Sequence, residues 1–464
     1  MKNDTIAAIA TGLTNSGISI IRVSGEDAVS VVDAVFVTKS GKHILNRVKS
    51  HTIHYGFIYE KDEMIDEVMV SVMKAPKSFT TEDTVEINCH GGILVTKKIL
   101  EIIILHGARL AEPGEFTKRA FLNGRIDLTK AEAIMDLIEA KSDYALKSSA
   151  KQLKGDVYDV IKGLREKIIY EIAYIESAID DPEHITLDGY NERLNVVVDE
   201  VLLKINHLIE KSKNGILLKN GINTVIVGKP NAGKSSLLNR LVGEEKAIVT
   251  EIAGTTRDVL KESIVLNGIC LNLIDTAGIH ETNDKVEKIG VTRAKEFAKD
   301  ADLIVYVVDS SVALDDSDKE IIDLVKDKKT IILLNKTDLE PITDENTLKK
   351  ALGEDSLNIC HIIKTSTKNN VGIDIFEETI KDMFFEGNIS VENEIYITSL
   401  RQKENLYDTK KSLELVRQSL MDDMPEDFYS IDLMNAYTSL GMMIGEEVED
   451  DLVQEIFSKF CMGK

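Results

Sequence analysis

An octapeptide near the middle of the chain, GKPNAGKS from Gly228 to Ser235, restricts the possible folds most strongly. It fits the pattern GxxxxGK[ST] and lies between a continuous apolar run, Thr224 to Val227, and a helical run, Ser236 to Leu241. Glycines at these positions let backbone N–H groups wrap a phosphate at the positive N-terminus of a helix. The lysine then reaches the outer phosphates, and the Ser235 hydroxyl binds Mg²⁺. The octapeptide therefore predicts a strand–loop–helix unit that binds a nucleoside triphosphate.

Two tetrapeptides further along the chain indicate which base is bound. In DTAG, Asp275 to Gly278, the aspartate can hold the Mg²⁺ shell and the Gly278 N–H can face a γ-phosphate. In NKTD, Asn335 to Asp338, the carboxylate can accept two N–H bonds from guanine, and adenine offers neither at that edge. An unpaired carboxylate there costs on the order of 1–3 kcal/mol or more, which favours GTP over ATP. Together with the octapeptide, these segments predict a GTPase.

The sequence around these motifs alternates between strands and helices. Apolar runs at Thr224–Val227, Leu303–Val308 and Thr330–Leu334 are continuous, as expected of buried parallel strands. A hairpin is predicted where Ser263–Leu266 and Ile269–Ile274 flank Asn267-Gly268, a strong turn signal. This block is therefore predicted to be an α/β domain.

The regions on either side of this α/β block have different sequence patterns. The first 120 or so residues mix strand-like runs with one apolar helical stretch, Ile93–Leu105, which predicts an α+β domain. Apolar residues then step by three and four from Leu153 to Ile179, which predicts one long helix ended by Asp181-Pro182. Helical patterns return after residue 390, at Leu400–Met421 and Ile431–Phe460. We expect four segments: an α+β domain at 1–122, a helical part at 123–220, an inserted α/β domain at 221–384, and a second helical part at 385–464.

Composition limits the classes of partner. The chain has 56 basic and 79 acidic residues, a net charge of −23, and no Trp. Such a chain lacks an overall electrostatic surface for nucleic acid, so RNA contact is expected only locally or through a partner. No apolar run approaches the roughly 18 residues that a membrane span needs. The four cysteines, Cys89, Cys270, Cys360 and Cys461, are far apart and suggest neither a disulfide framework nor a zinc site, so we expect a cytoplasmic protein without membrane segments.

The motifs together resemble a known group of GTPases. GKPNAGKS, AGTTRD (253–258), DTAG and NKTD, with Thr365-Ser366-Thr367 closing the base pocket, resemble the G domains of the TrmE-Era-EngA-type GTPase superfamily, with a Ras-like α/β fold. RAFLNG (119–124), DLTKAEA (127–133) and the ending FCMGK (460–464) narrow the resemblance to the MnmE (TrmE) family of bacterial tRNA-modifying GTPases. The resemblance runs from one end of the chain to the other.

The resemblance implies a mechanism for hydrolysis. Ile279 stands where a Ras-like enzyme carries its water-positioning Gln, and an aliphatic side chain cannot polarise water. In proteins of this family the G domains dimerise on GTP, and K⁺ occupies the place of an arginine finger. Matching positions imply K⁺ ligands from Asn231, Thr250, Ile252 and Thr255, Mg²⁺ ligands from Ser235 and Thr256, and a water-organising role for Glu287. Read without the family, Glu287 is an ordinary solvated charge on a helix.

The remaining nucleotide contacts follow from the same matching. They comprise Asn231, Ala232, Gly233, Lys234, Ser235 and Ser236; Thr250, Glu251, Ile252, Ala253, Gly254, Thr255 and Thr256; Asp275, Thr276, Ala277 and Gly278; and Asn335, Lys336, Asp338 and Ser366.

The N-terminal part resembles the folate-binding domain of one-carbon enzymes. Matching positions imply a 5-formyl- or methylene-tetrahydrofolate site at Arg22, Glu86, Arg125 and Lys464. Cations suit the glutamate carboxylates of folate, and a carboxylate suits its pterin N–H edge. Cys461 is interpreted as a thiol that acts there as general acid, general base or nucleophile. Without the family, Arg22 and Glu86 read as surface charges and Cys461 as an incidental thiol.

The resemblance also implies partners and a reaction. It implies a homodimer through the N-terminal domain and a heterotetramer with the flavin-dependent protein MnmG (GidA), which carries FAD. Together they would add an aminomethyl or carboxymethylaminomethyl group to C5 of the wobble uridine of certain tRNAs. A ribosome-assembly or regulatory GTPase switch is the main alternative, although no GxxG loop in a basic setting follows residue 390. A third alternative is that the protein is a folate enzyme that GTP merely regulates.

Overall fold

The computed structural model describes residues 4–243, 262–274, 299, 301–353, 359–385, 394–448 and 450–463. The chain forms two compact units. The first combines Met1–Met135, Leu153–Leu187 and Asp423–Lys464, and the second combines Asp136–Gln152 and Asp188–Asp422. Each unit has its own hydrophobic core. No helix of the described ranges is both long and apolar enough to cross a membrane.

The first unit is built on a seven-stranded sheet in the order β3-β4-β5-β6-β2-β1-β7. The strands are β1 (Ile6–Ile9), β2 (Ile18–Ser24), β3 (Phe36–Val37), β4 (Thr52–Glu60), β5 (Glu63–Met73), β6 (Thr84–His90) and β7 (Arg109–Leu110). Neighbouring strands are antiparallel except β1 and β7, which are parallel. The predicted α+β character of this part is therefore confirmed.

One face of this sheet is covered by two helices, and the other is open along β4 and β5 and covered beside β1. Alternate residues such as Ile21, Val23 and Ile87 are buried with the helices α1 (Ala28–Val35) and α2 (Ile93–Leu105) in one core. The intervening residues, Arg22 and Glu86 among them, lie on the opposite face, which we call the open face. Large apolar side chains there, including those of Ile53, Tyr55 and Met69, remain exposed.

Helices from three parts of the chain complete the first unit. They are α3 (Glu115–Leu122), the first part of α4 (Leu128–Glu139), α6 (Asp156–Asp180), α13 (Glu426–Ile444) and α14 (Asp450–Ser458). Arg119 of α3 is buried and forms ion pairs with Asp4, Glu82 and Glu115. This network fixes α3 against the N-terminal strand region.

The long helix predicted from Leu153 to Ile179 is wrong at its start. Gly155 adopts φ +108°, a left-handed conformation that interrupts the helix, so Leu153 lies in the last turn of α5 (Asp143–Lys154) and α6 begins at Asp156. The end before Asp181-Pro182 is confirmed. The helical run predicted from Ile431 to Phe460 is likewise interrupted, because Gly445 has φ +94° and ends α13. In both places the apolar period continues across a glycine that breaks the backbone helix.

The second unit contains a six-stranded sheet in the order β13-β12-β11-β8-β10-β9. The strands are β8 (Ile222–Val227), β9 (Glu262–Leu266), β10 (Ile269–Leu273), β11 (Leu303–Asp309), β12 (Thr330–Asn335) and β13 (Cys360–Lys364). All neighbours are parallel except the β9–β10 hairpin, whose turn has φ +47° at Asn267 and φ +81° at Gly268. The predicted hairpin and buried parallel strands are therefore confirmed.

Both faces of this sheet are buried. Val305 and Val307 of β11 belong to one core cluster, and Ile304 and Tyr306 to the other, which is why the strand is apolar throughout. Among the described residues of this unit the helices are α7 (Tyr190–Asn220), α8 (Lys234–Gly243), α9 (Asp316–Val325), α10 (Glu345–Leu352), α11 (Ile373–Phe385), α12 (Leu400–Met421), the end of α4 and most of α5. Strand order and hairpin position are those of a Ras-like α/β domain, so the layout is multidomain as predicted.

Candidate functional site

The phosphate-binding octapeptide forms the loop between β8 and α8. Gly228 has φ +147°, and a Cβ there would lie 2.3 Å from the carbonyl oxygen of Val307. Gly233 has φ +108°, and a Cβ there would lie 2.1 Å from the side-chain amide nitrogen of Asn335. Both positions therefore exclude any side chain, both by backbone conformation and by space. Asn231 also has positive φ, at +61°, and is exposed at the turn of the loop.

Lys234 bends over this loop from the first position of α8. Its Nζ donates hydrogen bonds to the carbonyl oxygens of Gly228, at 2.6 Å, and Lys229, at 2.8 Å. Burial lowers the pKa of Lys234 from its ordinary value. Ser235 and Ser236 follow it in the exposed first turn of the helix. The lysine and the helix N-terminus are thus arranged as a phosphate site requires.

The predicted base segment lies beside this loop. Asn335, the last residue of β12, donates from Nδ2 to the carbonyl of Ala232 at 2.9 Å. Its Oδ1 accepts a hydrogen bond from the backbone N–H of Thr367 at 3.2 Å. One amide therefore ties the phosphate loop to the segment that contains Ser366.

Asp338 and Ser366 meet where the sequence predicts the base pocket. The Ser366 hydroxyl donates to Asp338 Oδ1 at 2.7 Å, and this bond lowers the pKa of Asp338. Lys336, at φ +62°, directs its Nζ to Asp309 Oδ2 at 2.5 Å. Burial raises the pKa of Asp309, but the bonds from Lys336 and Ser311 outweigh that effect and hold it below its usual value. The pocket thus presents an ionised, oriented carboxylate.

A second contact to the phosphate loop was not predicted. Lys229 Nζ lies 2.6 Å from Asp318 Oδ2 and 3.0 Å from Asp315 Oδ2, at the N-terminus of α9. Asp318 is buried and also accepts a hydrogen bond from the Tyr306 hydroxyl at 2.8 Å. The two aspartates form a capping box at the start of α9, and their spacing is the signal that could have located them.

Other predicted nucleotide and metal residues lie outside the described residues. These are Thr250, Glu251, Ile252, Ala253, Gly254, Thr255, Thr256, Asp275, Thr276, Ala277, Gly278, Ile279 and Glu287. Of the predicted Mg²⁺ and K⁺ ligands, the structure therefore describes Ser235 and Asn231.

A separate polar cluster lies on the open face of the first unit. Arg22 of β2 and Glu86 of β6 are direct cross-strand partners. Arg22 Nε lies 2.9 Å and Nη2 2.8 Å from Glu86 Oε1. Arg22 Nη1 also donates to the carbonyl oxygen of Gly463 at 3.0 Å. The Arg22 guanidinium thus contacts both Glu86 and Gly463, which lies 441 positions after Arg22 in the sequence.

Arg125 belongs to the same neighbourhood through aromatic rings. Its guanidinium lies 5.0 Å from the ring centroid of Phe79, and its Nη1 donates to the Phe79 carbonyl at 2.7 Å. The guanidinium of Arg22 lies 5.7 Å from the ring centroid of Phe116. Phe79 packs against the small core cluster that contains Phe116. The structure therefore brings Arg22, Glu86 and Arg125 to one region, and Lys464 lies outside the described residues.

The C-terminal segment is fixed to the first unit by two glycines. At Gly463, φ is +84° and a Cβ would lie 2.3 Å from the Ile9 carbonyl oxygen. At Gly114, φ is +67° and a Cβ would lie 2.5 Å from the carbonyl oxygen of Phe457. The Gly114 N–H donates to the carbonyl of Cys461 at 3.3 Å. Cys461 is exposed and lies two residues before the carbonyl that Arg22 binds.

His90, at the end of β6, forms a dyad that sequence reasoning missed. Its Nδ1 lies 2.6 Å from Asp66 Oδ1, and its backbone N–H donates to Asp66 Oδ2 at 2.8 Å. Asp66 is buried and the His90 ring is exposed. No local pattern links residues 66 and 90, since they meet only through the pairing of β5 with β6.

The dyad predicts a pH dependence of stability. Asp66 raises the pKa of His90 above its ordinary 6.5, so the bond stabilises the fold fully below that value and loses its effect as pH rises through the folded pKa. We expect His90→Asn to lose more stability at about pH 6 than at about pH 8. Urea unfolding of both proteins at the two pH values measures this difference. A loss of stability equal at both pH values would contradict it.

Comparisons with known proteins identify the family of this chain. Residues 5–125 match the family model described as the GTP-binding protein TrmE N-terminus, and residues 128–461 match that of the MnmE helical domain. A protein of Lachnoclostridium phytofermentans is 56% identical over 464 residues, which cover 100% of both chains. Proteins of Lacticaseibacillus paracasei and Lactobacillus gasseri are 48% and 46% identical over 463 residues, 99% of this chain and 98% of each relative. All three are named tRNA modification GTPase MnmE.

Proposed function

The chain belongs to the MnmE (TrmE) family of tRNA modification GTPases, and from that premise we propose the reaction that it serves. GTP hydrolysis drives the addition of an aminomethyl or carboxymethylaminomethyl group to C5 of the wobble uridine of certain tRNAs, together with a flavin-dependent partner of the MnmG (GidA) type, which carries FAD. The observation that carries the proposal is the bond from Arg22 to the Gly463 carbonyl, because it holds the segment of Cys461 at the N-terminal sheet.

The nucleotide half of the proposal rests on the two polar segments of the second unit. Lys234 and Ser235 bind the phosphates and Mg²⁺, and Asp338 with Ser366 reads the guanine edge. Thr256 completes the Mg²⁺ shell. The exposed position of Asn231 supports its role as a K⁺ ligand, with Thr250, Ile252 and Thr255 as the others. Glu287 organises the attacking water when two G domains pair.

The N-terminal half of the proposal concerns a tetrahydrofolate derivative, 5-formyl or methylene. The residues present fit such a group, because two guanidinium groups near aromatic rings suit its carboxylates and rings, and Glu86 suits its pterin N–H edge. When bound, the folate supplies the one-carbon unit. Arg22, Glu86, Arg125 and Lys464 would hold it, and the Cys461 thiol would serve beside it as general acid, general base or nucleophile.

The proposed assembly is based on the exposed apolar residues of the N-terminal sheet and on the net charge of the chain. Two copies pair through their N-terminal domains, a role that the apolar residues of the open face support. Two of these chains and two partner chains form the working complex in the cytoplasm. The partner supplies most of the charge that binds tRNA, because this chain carries a net charge of −23. We propose domain boundaries at 1–122, 123–220, 221–384 and 385–464.

Nucleoside mass spectrometry of bulk tRNA tests the proposal. Cells lacking the gene are expected to lose C5-aminomethyl-type wobble uridines, and the wild-type gene restores them. Cys461→Ser is expected to hydrolyse GTP normally without restoring the modification. Met462→Leu, a change at the exposed neighbouring side chain, serves as the matched control and restores it. Unchanged uridines in the deletion strain would refute the proposal and favour an assembly or regulatory GTPase.

A further inference from the structure

Helix α13 is apolar on two opposite faces. Tyr429, Leu433, Ala436, Leu440 and Ile444 follow each other by three or four residues and are all buried. On the other side, Phe428, Ile431, Met434 and Met442 are 52%, 63%, 40% and 40% exposed. At 3.6 residues per turn these four side chains fall within an arc of about 120° that faces away from the buried stripe. We call these four residues the outer face of α13.

The stretch of sequence that contains this helix carries one sign of charge. Between Arg417 and Lys459 the sequence has eleven Asp and Glu residues and neither Lys nor Arg. Two of the eleven, Glu446 and Glu447, are paired with Arg165 of α6, whose guanidinium lies 4.0 Å from the ring centroid of Tyr437, so the other nine carry the charge of this segment. The segment from 418 to 458 thus combines a large apolar stripe with a strongly acidic sequence.

This combination selects a class of partner. Contiguous exposed apolar side chains on a folded helix mark an interaction surface, and methionine adapts to irregular partner shapes. An acidic segment repels the phosphates of tRNA, which favours a protein as the occupant. A second copy of α13 would bring its own acidic residues against these, which disfavours self-pairing. The complementary ligand is an amphipathic helix with one apolar face flanked by Lys and Arg.

We propose that the outer face of α13 binds a basic amphipathic helix of the flavin-dependent partner, an inference that rests on the proposed function. Ile431 and Met434 are central to this contact because they lie in adjacent turns of the face. Carboxylates of the acidic segment attract the basic helix over a distance, and the apolar side chains supply the buried area.

Calorimetric titration of the full-length chain with the purified partner of the same organism tests this assignment. The double change Ile431→Glu with Met434→Glu is expected to weaken binding by at least about tenfold, as the loss of a central apolar anchor does. Leu203→Glu, at a side chain 72% exposed on α7, is the matched control and is expected to bind as wild type. Wild-type affinity is also expected to fall as ionic strength rises.

Each other outcome would overturn the inference in a recognisable way. If the double variant binds the partner as tightly as wild type, the contact lies elsewhere and the proposed function is unaffected. If the double variant changes only the sedimentation mass of the chain alone, the face is an interface between copies. If the wild type does not bind the partner at low salt, both this inference and the proposed complex fail. GTP hydrolysis and the unfolding midpoint of the double variant verify that it folds.

Discussion

Asp338→Asn is expected to reduce affinity for GTP by roughly a hundredfold or more and to reverse the preference between GTP and xanthosine triphosphate. The carboxylate accepts two N–H bonds from guanine, and each bond to a charged group contributes about 1.5–3 kcal/mol. Every 1.4 kcal/mol is about tenfold in affinity. Xanthine has a carbonyl where guanine has its exocyclic amine, and the asparagine amide can donate to it. Titration calorimetry with both nucleotides measures the reversal.

Two neighbouring variants serve as controls for this result. Ser366→Ala removes the hydroxyl that lies 2.7 Å from Asp338 and is expected to cost only about 0.5–1.5 kcal/mol of binding free energy, because the carboxylate remains. Asp344→Asn removes an equal charge from the N-cap of α10 and is expected to leave GTP affinity unchanged. Wild-type GTP affinity in Asp338→Asn would show that the carboxylate does not read the base.

Gly463→Val is expected to release the C-terminal segment and to abolish tRNA modification while GTP hydrolysis continues. A valine at φ +84° costs about 1–2 kcal/mol of backbone energy, and its Cβ would lie 2.3 Å from the Ile9 carbonyl. Loss of the bond to the Arg22 guanidinium adds about 1.5–3 kcal/mol. Together these two costs shift the equilibrium between the docked and the released C-terminal segment by roughly a hundredfold or more.

Two measurements separate this effect from a general loss of stability. The rate at which carboxypeptidase removes the last residues is expected to rise at least about tenfold, in line with the shifted equilibrium. The level of modified uridine in tRNA reports the functional consequence. Met462→Leu is the control for both, since Met462 is exposed beside Gly463. Normal modification in Gly463→Val would mean that docking of this segment is unnecessary for the reaction.

The sequence predicts the parts of the structure that depend on local pattern. The phosphate loop, the Asn267-Gly268 hairpin and the buried strand Leu303–Val308 follow from glycine positions and apolar runs, and all three are present. The break at Gly155 was not predicted, because a glycine leaves the apolar periodicity of the sequence unchanged even where it interrupts the helix. Periodicity reports which face is buried, not whether the backbone is continuous.

Long-range pairs could not be predicted in this way. Arg22 with Glu86, and Asp66 with His90, are each set by the register between strands, which depends on the whole sheet. The resemblance to a family pointed to the first pair and gave no indication of the second. The ion pair between Lys229 and Asp318 could not be predicted either. The spacing of the two capping aspartates at the start of α9 was a partial signal, because it locates the start of that helix.

The division of the chain has a consequence for its synthesis. The first unit joins residues from both ends of the sequence, and Phe121 packs against Phe457 within it. Residues 188–422, most of the second unit, leave the ribosome between these two parts. At the usual 5–20 residues per second this interval is on the order of ten to fifty seconds. During that time the N-terminal sheet lacks α13 and α14, which are synthesised last. The nascent chain therefore passes through a state in which chaperones can bind it.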